Sequence, residues 1–240
     1  MAMERRLGID GCHAGWFAVA VEGDGALRWR CTGTLADLLA MERGVGLALI
    51  DIPIGLAEGD RECDRLARRR LGCRRGSVFA PPARDTLAAR DYREALRINR
   101  EHAGRGLSLQ SWNIVPKIRE VDALLQAQPA LRGRLRESHP ELAFAALNGG
   151  QPMPHNKRHC QGREERLCVL ESRLPRVRAF LAEVLAATRR RDVAADDVLD
   201  ATVLSVLARQ GAERLATLPA QPPQDETGLA MEMVFWSGEK

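Results

Sequence analysis

Apolar and polar positions alternate in two different rhythms along this chain, and the rhythms divide it into elements. Residues 5–10 (RRLGID) and 16–22 (WFAVAVE) predict two strands, with GCHAG between them as a turn bounded by glycines. GDG at 23–25 is a tight-hairpin signal, and ALRWRCT (26–32) alternates as a third strand, so the chain opens with an antiparallel meander. TLADLLAMERG (34–44) has helical spacing, with Thr34 as N-cap and Gly44 as stop. LALIDIPIGL (47–56) then supplies a nearly all-apolar fourth strand, the pattern of a central parallel strand buried on both faces.

The character changes over 57–130. This stretch is charged, rich in Arg and helical in rhythm, with helices expected over 88–104 and 114–128, and it reads as a helical insertion. LRGRLRESHPE (131–141) returns to a strand near Glu137. Residues 141–148 and 163–189 look helical. ADDVLDATVLSVLARQG (195–211) places Val198, Leu199, Thr202, Val203, Val206 and Leu207 at helical intervals and ends at Gly211. Residues 229–236 (LAMEMVFW) are a candidate last strand. No internal repeat is visible. Three antiparallel strands, a helix, a parallel strand, an insertion, a strand and helices together predict an α/β fold with a mixed five-stranded sheet flanked by helices, a single domain over 1–240 with the insertion inside it.

Composition narrows the function classes. The hydrophobic fraction is 45% and the charged fraction 28%, as in a soluble globular protein. Aromatic residues are 4%, too few for an extended platform of stacked bases. The net charge is +4, carried almost wholly by Arg; the lysines are Lys117, Lys157 and Lys240. The basic runs at 65–75 and 189–191 suit either a solvated helix face or contact with nucleic acid. The six cysteines have irregular spacing and form no C-x-x-C pair, which points to free thiols in a reducing compartment. A zinc site from His155, His159 and Cys160 lacks the paired spacing such sites use. With neither an apolar leader in MAMERRLGID nor a membrane-length run, the expectation is a cytoplasmic protein without a membrane partner.

The acids carry the chemical signal. Asp10 ends strand one and Asp51 ends strand four. These strands are neighbours in the expected topology, and open α/β sheets build sites at strand carboxyl ends. Glu141 follows strand five. Asp196, Asp197 and Asp200 open the last long helix, with Asp197 and Asp200 on a shared face. Carboxylates that converge repel one another unless a cation neutralises them, and all-oxygen ligands favour Mg²⁺ or Mn²⁺. Such ions can activate water for phosphodiester cleavage. Each acid also has a purely structural account: Asp51 as a turn residue before Pro53, and the helix acids as caps that complement the dipole.

GIDGCHAGW, LIDIPIGL, RECDRLARRRLGCRRGSVFAPPAR, LSLQSWNIVPKIREVD, ESHPELAFAALNGG and DDVLDA occur in that order over about residues 7–236. Together they resemble domain-of-unknown-function family 429, a family of predicted nucleases with a ribonuclease H-like fold. The resemblance implies catalytic and metal-binding roles for Asp10, Asp51, Glu141 and Asp197, with Asp200 as a further metal ligand. Ribonuclease H-like nucleases often carry Glu at the strand-four position; here it is Asp51. Arg74, Arg75, Ser77, Gln110, Lys117 and Lys157 lie in or beside the inserted motifs. They are candidates for phosphate contact, or for ion pairs between insertion and core. His139 would orient Glu141, act as a base, or be a satisfied core histidine. The resemblance implies a metal-dependent nuclease with nucleic acid as partner. The rivals are a non-catalytic module that binds nucleic acid or protein, and an actin-like phosphotransferase. The latter needs two copies of the fold, which 240 residues supply only as a homodimer.

Overall fold

The computed structural model describes residues 4–238; Lys240 and the chain ends of the expected 1–240 domain lie outside it. A five-stranded sheet forms from β1 (Arg5–Cys12), β2 (Gly15–Val21), β3 (Leu27–Thr32), β4 (Val45–Ile50) and β5 (Leu135–Glu137). The order is β3-β2-β1-β4-β5. β2 runs antiparallel to β1 and β3, while β4 is parallel to β1 and β5. This is the mixed α/β sheet, flanked by helices, that the alternating pattern predicts.

The sheet is buried on both faces. Leu7, Ile9, Ala48 and Ile50 face one core with Leu35 and Leu38 of α1 (Leu35–Met41) and Ile118, Val121 and Leu125 of α4 (Leu109–Ala127). Phe17, Val19, Leu47 and Leu49 face the opposite core. That core is closed by α5 (Pro140–Leu147), α6 (Cys160–Glu171), α7 (Val177–Ala187) and α8 (Ala195–Ala208). Gly8 lets α8 lie directly on β1, since a Cβ there would stand 2.0 Å from the Ala201 carbonyl oxygen. The period of two that buries Leu7 and Ile9 on the first face turns Gly8 and Asp10 toward α8.

Between β4 and β5 the chain forms α2 (Glu62–Leu71), a 3₁₀ segment (Gly72–Ser77), a second (Arg84–Ala88), α3 (Tyr92–Ala103) and α4. A buried Arg61 binds it to the sheet, pairing with Glu137 at 2.7 Å and Asp64 at 2.6 Å. The Arg61 guanidinium also donates to the carbonyls of Ile54 and Gly55, which fixes the chain leaving β4.

Several boundaries differ from expectation. α4 starts at Leu109 rather than 114, because Ser108 caps it with a hydrogen bond from Ser111 N–H at 3.0 Å and the helix runs on through Pro116. The expected run 163–189 is two helices; the chain turns at 172–176, around Pro175. The last strand shortens to β7 (Met233–Trp236) and pairs antiparallel with β6 (Leu215–Leu218), a strand with no strong apolar alternation. Among the described residues no helix is long and apolar enough to cross a membrane.

Candidate functional site

Register brings the first two acids together. β1 and β4 align Ile9 with Ile50, and Asp51 N–H donates to the Ile9 carbonyl at 3.1 Å. Asp10 and Asp51 are therefore adjacent at the carboxyl ends of two parallel strands, on the face that meets α8. The Asp10 carboxylate accepts from Gly11 N–H at 2.7 Å. α8, seated against Gly8, delivers Asp200 from the other side, 1% exposed. Lys157, in the segment before α6, forms an ion pair with Asp200.

Burial dominates the electrostatics. It pushes the Asp10 carboxyl well above its ordinary range, and Asp51, Asp200 and Asp197 push the same way against Lys157. Burial also raises Asp51, with His139 and Lys157 opposing and Glu141 adding. Asp200 is lifted to about 6 by burial; Lys157 opposes while Asp51 and Glu141 add. For the Lys157 ammonium, burial works downward, but Asp200 and Asp10 outweigh it and hold the charge firmly.

Glu141 occupies the first turn of α5, whose N-cap is His139. Glu141 N–H donates to His139 Nδ1 at 3.1 Å, so the ring proton sits on Nε2, 3.3 Å from the Ser77 carbonyl. Through these two contacts His139 caps α5 and ties it to the 3₁₀ segment. Arg166, fully buried, donates to Glu141 Oε1 at 2.5 Å. Its other amino group donates to the carbonyls of His155 and Gly162, which fastens the segment bearing Lys157 to α6. Arg74 Nε lies 3.6 Å from Glu141 Oε2, and both atoms are buried without a hydrogen-bond partner among the described residues.

A cavity of about 400 Å³ opens at this place. Asp51, Glu141 and His139 stand on its sheet side. Arg74, Ser77 and Phe79 come to it from the segment after α2, Gln110 from the first turn of α4, and Asn156, Lys157 and Arg158 from the segment before α6. Of the residues singled out from sequence, Asp51, Glu141, Arg74, Ser77, Gln110 and Lys157 line it, with Asp10 and Asp200 adjoining through Asp51 and Lys157.

Three residues do not line the cavity, although Asp197 lies near enough to Asp10 to raise its carboxyl. The Asp197 carboxylate accepts from Ala194 N–H at 2.8 Å at the start of α8 and serves there as a cap, with burial raising its carboxyl to about 6. Lys117 crosses Gly11, sits 4.6 Å from the Trp16 ring and donates to the Gly15 carbonyl. Arg75 is exposed and does not line the cavity. Arg166, Phe79, Asn156 and Arg158 are the site residues that sequence reasoning missed. Arg166 left a usable signal: it falls four positions after Gly162 and four before Leu170, on the face that is buried.

The donors present fit an oxygen-preferring divalent cation by their chemistry. Burial drives Asp10 and Asp51 toward protonation, with Asp51 adding to the shift of Asp10 and Glu141 to that of Asp51, and a cation would oppose that. Among the described residues no three His, Cys, Asp or Glu side chains stand ready as a ligand set; Asp200 is turned to Lys157 and Glu141 to Arg166. His155, from the zinc triplet whose spacing argued against a site, is hydrogen-bonded to Glu165.

A family model described as "Protein of unknown function (DUF429)" matches residues 8–224. No curated protein and no solved structure matches the chain.

Proposed function

Because the chain belongs to the DUF429 family, whose description assigns no activity, we propose a function from the site: metal-dependent hydrolysis of phosphodiesters. The observation that carries it is the meeting of Asp10, Asp51 and Asp200 at one end of the sheet, beside a cavity bearing Arg74 and Lys157. Three acids in such a place stay charged together only around added positive charge.

Asp10, Asp51 and Asp200 would hold Mg²⁺ or Mn²⁺, with Glu141 beside them. A divalent cation supplies a more acidic bound water and shields the phosphate oxygens. Arg74 and Lys157 bind the non-bridging oxygens and hold the phosphorus in line for attack. Arg166 and His139 fix the orientation of Glu141 and of α5 from behind. In the reaction, a water oxygen bonds to phosphorus and the bond from phosphorus to one ester oxygen breaks. One water proton goes to the leaving oxygen, giving an alcohol and a phosphate monoester.

The test is hydrolysis of a chromogenic phosphodiester and of linear nucleic acids by purified protein with Mn²⁺ or Mg²⁺. Wild type should turn over, chelator should abolish it, and Asp10→Asn should fall by about 100-fold or more, the scale expected when a metal site is disturbed. Activity retained in Asp10→Asn would refute the assignment.

One observation favours a second reading. The Lys157–Asp200 and Arg166–Glu141 pairs already neutralise two of the acids internally, as a non-catalytic anion-binding cleft would need. Titration of Mn²⁺ by calorimetry separates the two, because that cleft would show no binding that Asp10→Asn removes.

A further inference from the structure

We propose that this cavity receives a single terminal nucleotide of a single-stranded nucleic acid, its phosphate toward Arg74 and Lys157 and its base against Phe79. The inference rests on the hydrolytic reading and names its substrate class.

Size is the first argument. A volume of about 400 Å³ lies at the small end of ligand pockets and suits one nucleotide. Enclosure is the second. Residues from 73–79, Gln110 and residues 156–158 line the same cavity as Asp51 and Glu141, and its volume has room for one nucleotide but not for a duplex. The walls are also braced. The stretch carrying Phe79 runs into Pro81 and Pro82. The Ala80 carbonyl accepts from Ser111 Oγ at 3.1 Å, the Pro81 carbonyl from Arg105 at 3.0 Å, and Ala83 N–H donates to Asn99 at 2.9 Å. The lining at 156–158 is held by Arg166 through the neighbouring His155 carbonyl.

Composition of the lining is the third argument. Among the described residues Phe79 is the one Phe, Tyr or Trp in the lining, enough to stack one base and not a tract. Arg74 Nε, buried without a hydrogen-bond partner among the described residues, keeps capacity to donate to an anion.

The test has a binding arm and a cleavage arm. AMP and inorganic phosphate are titrated separately into wild type, Phe79→Ala, Phe79→Trp and Arg74→Gln. Wild type should bind AMP about ten-fold more tightly than phosphate, the equivalent of one stacked base. Phe79→Ala should lose that difference and keep phosphate binding, Phe79→Trp should restore it, and Arg74→Gln should weaken both ligands. A short linear single strand should displace AMP and be shortened from an end, whereas a covalently closed circle of the same sequence should do neither.

Equal affinity for AMP and phosphate, or binding of neither, would overturn the proposal. So would a linear strand that fails to displace AMP, which would leave the free nucleotide as ligand. A circle cut as fast as the linear strand would remove the terminal assignment and leave hydrolysis standing. The expected binding with no cleavage of either strand would remove hydrolysis and leave the ligand assignment standing.

Discussion

Asp10, Asp51 and Asp200 stand in a place that makes their ionisation costly. A carboxyl raised by burial holds its proton in the folded state at a pH where the unfolded chain has lost it. Folding stability then falls as pH climbs from the ordinary Asp value near 4 to the folded value, about 6 for Asp200. Denaturation across this range should show that fall, and Asp200→Asn should flatten it by on the order of 2 kcal/mol. The change in slope reports Asp200 together with Asp10, whose carboxyl the Asp200 charge also pushes up. A variant with the wild-type slope would mean that Asp200 titrates normally. The sequence showed these three acids because each ends a strand or opens a helix, positions readable from pattern. It did not show what holds them. Arg166 and Lys157 reach Glu141 and Asp200 from distant parts of the chain, and only the path of the segment between α5 and α6 decides that they arrive.

At the scale of elements, the contact between α8 and β1 sets the geometry. Gly8 leaves no room for a methyl group against the backbone at Ala201, Leu204 and Ser205. Gly8→Ala should cost about 3 kcal/mol in chemical denaturation, near the upper end for overpacking, and should weaken Mn²⁺ binding by moving Asp200 away from Asp10. An unchanged midpoint would show that α8 can shift freely. β1, β2, β4 and α8 were legible because their apolar runs are long and of one period. β6 was not, since LATL is half-buried and owes its strand to pairing with β7. The break between α6 and α7 was missed because apolar spacing continues across 172–176 in two helices that pack on the same core.

For the whole molecule, charge is spread rather than gathered into a track. Much of the basic run at 65–75 is engaged locally: Arg65 pairs with Glu62, Arg68 donates to the Val78 carbonyl, and Arg70 lies over the Phe235 ring. Arg74, Lys157 and Arg158 line the cleft. A single strand held by those three would release few counterions, so its affinity should fall with salt at a logarithmic slope of about −2. Fluorescence titration over a salt series measures it. A slope several times steeper would bring the exposed Arg69 and Arg75 into the binding surface. Net charge alone, at +4, did not show this, because it says nothing of which arginines are already occupied.

The seating of α8 on Gly8 also bears on the order in which the molecule can assemble. β1 meets its meander partners within a few residues, but α8 lies near the other end of the chain, and closing so long a loop is slow. The sheet can zip from β3 through β1 while Asp200 is still far from Asp10. The share of the repulsion that Asp200 adds to Asp10 and Asp51 is thus deferred until α8 docks, and it burdens the lifetime of the finished fold more than the search for it.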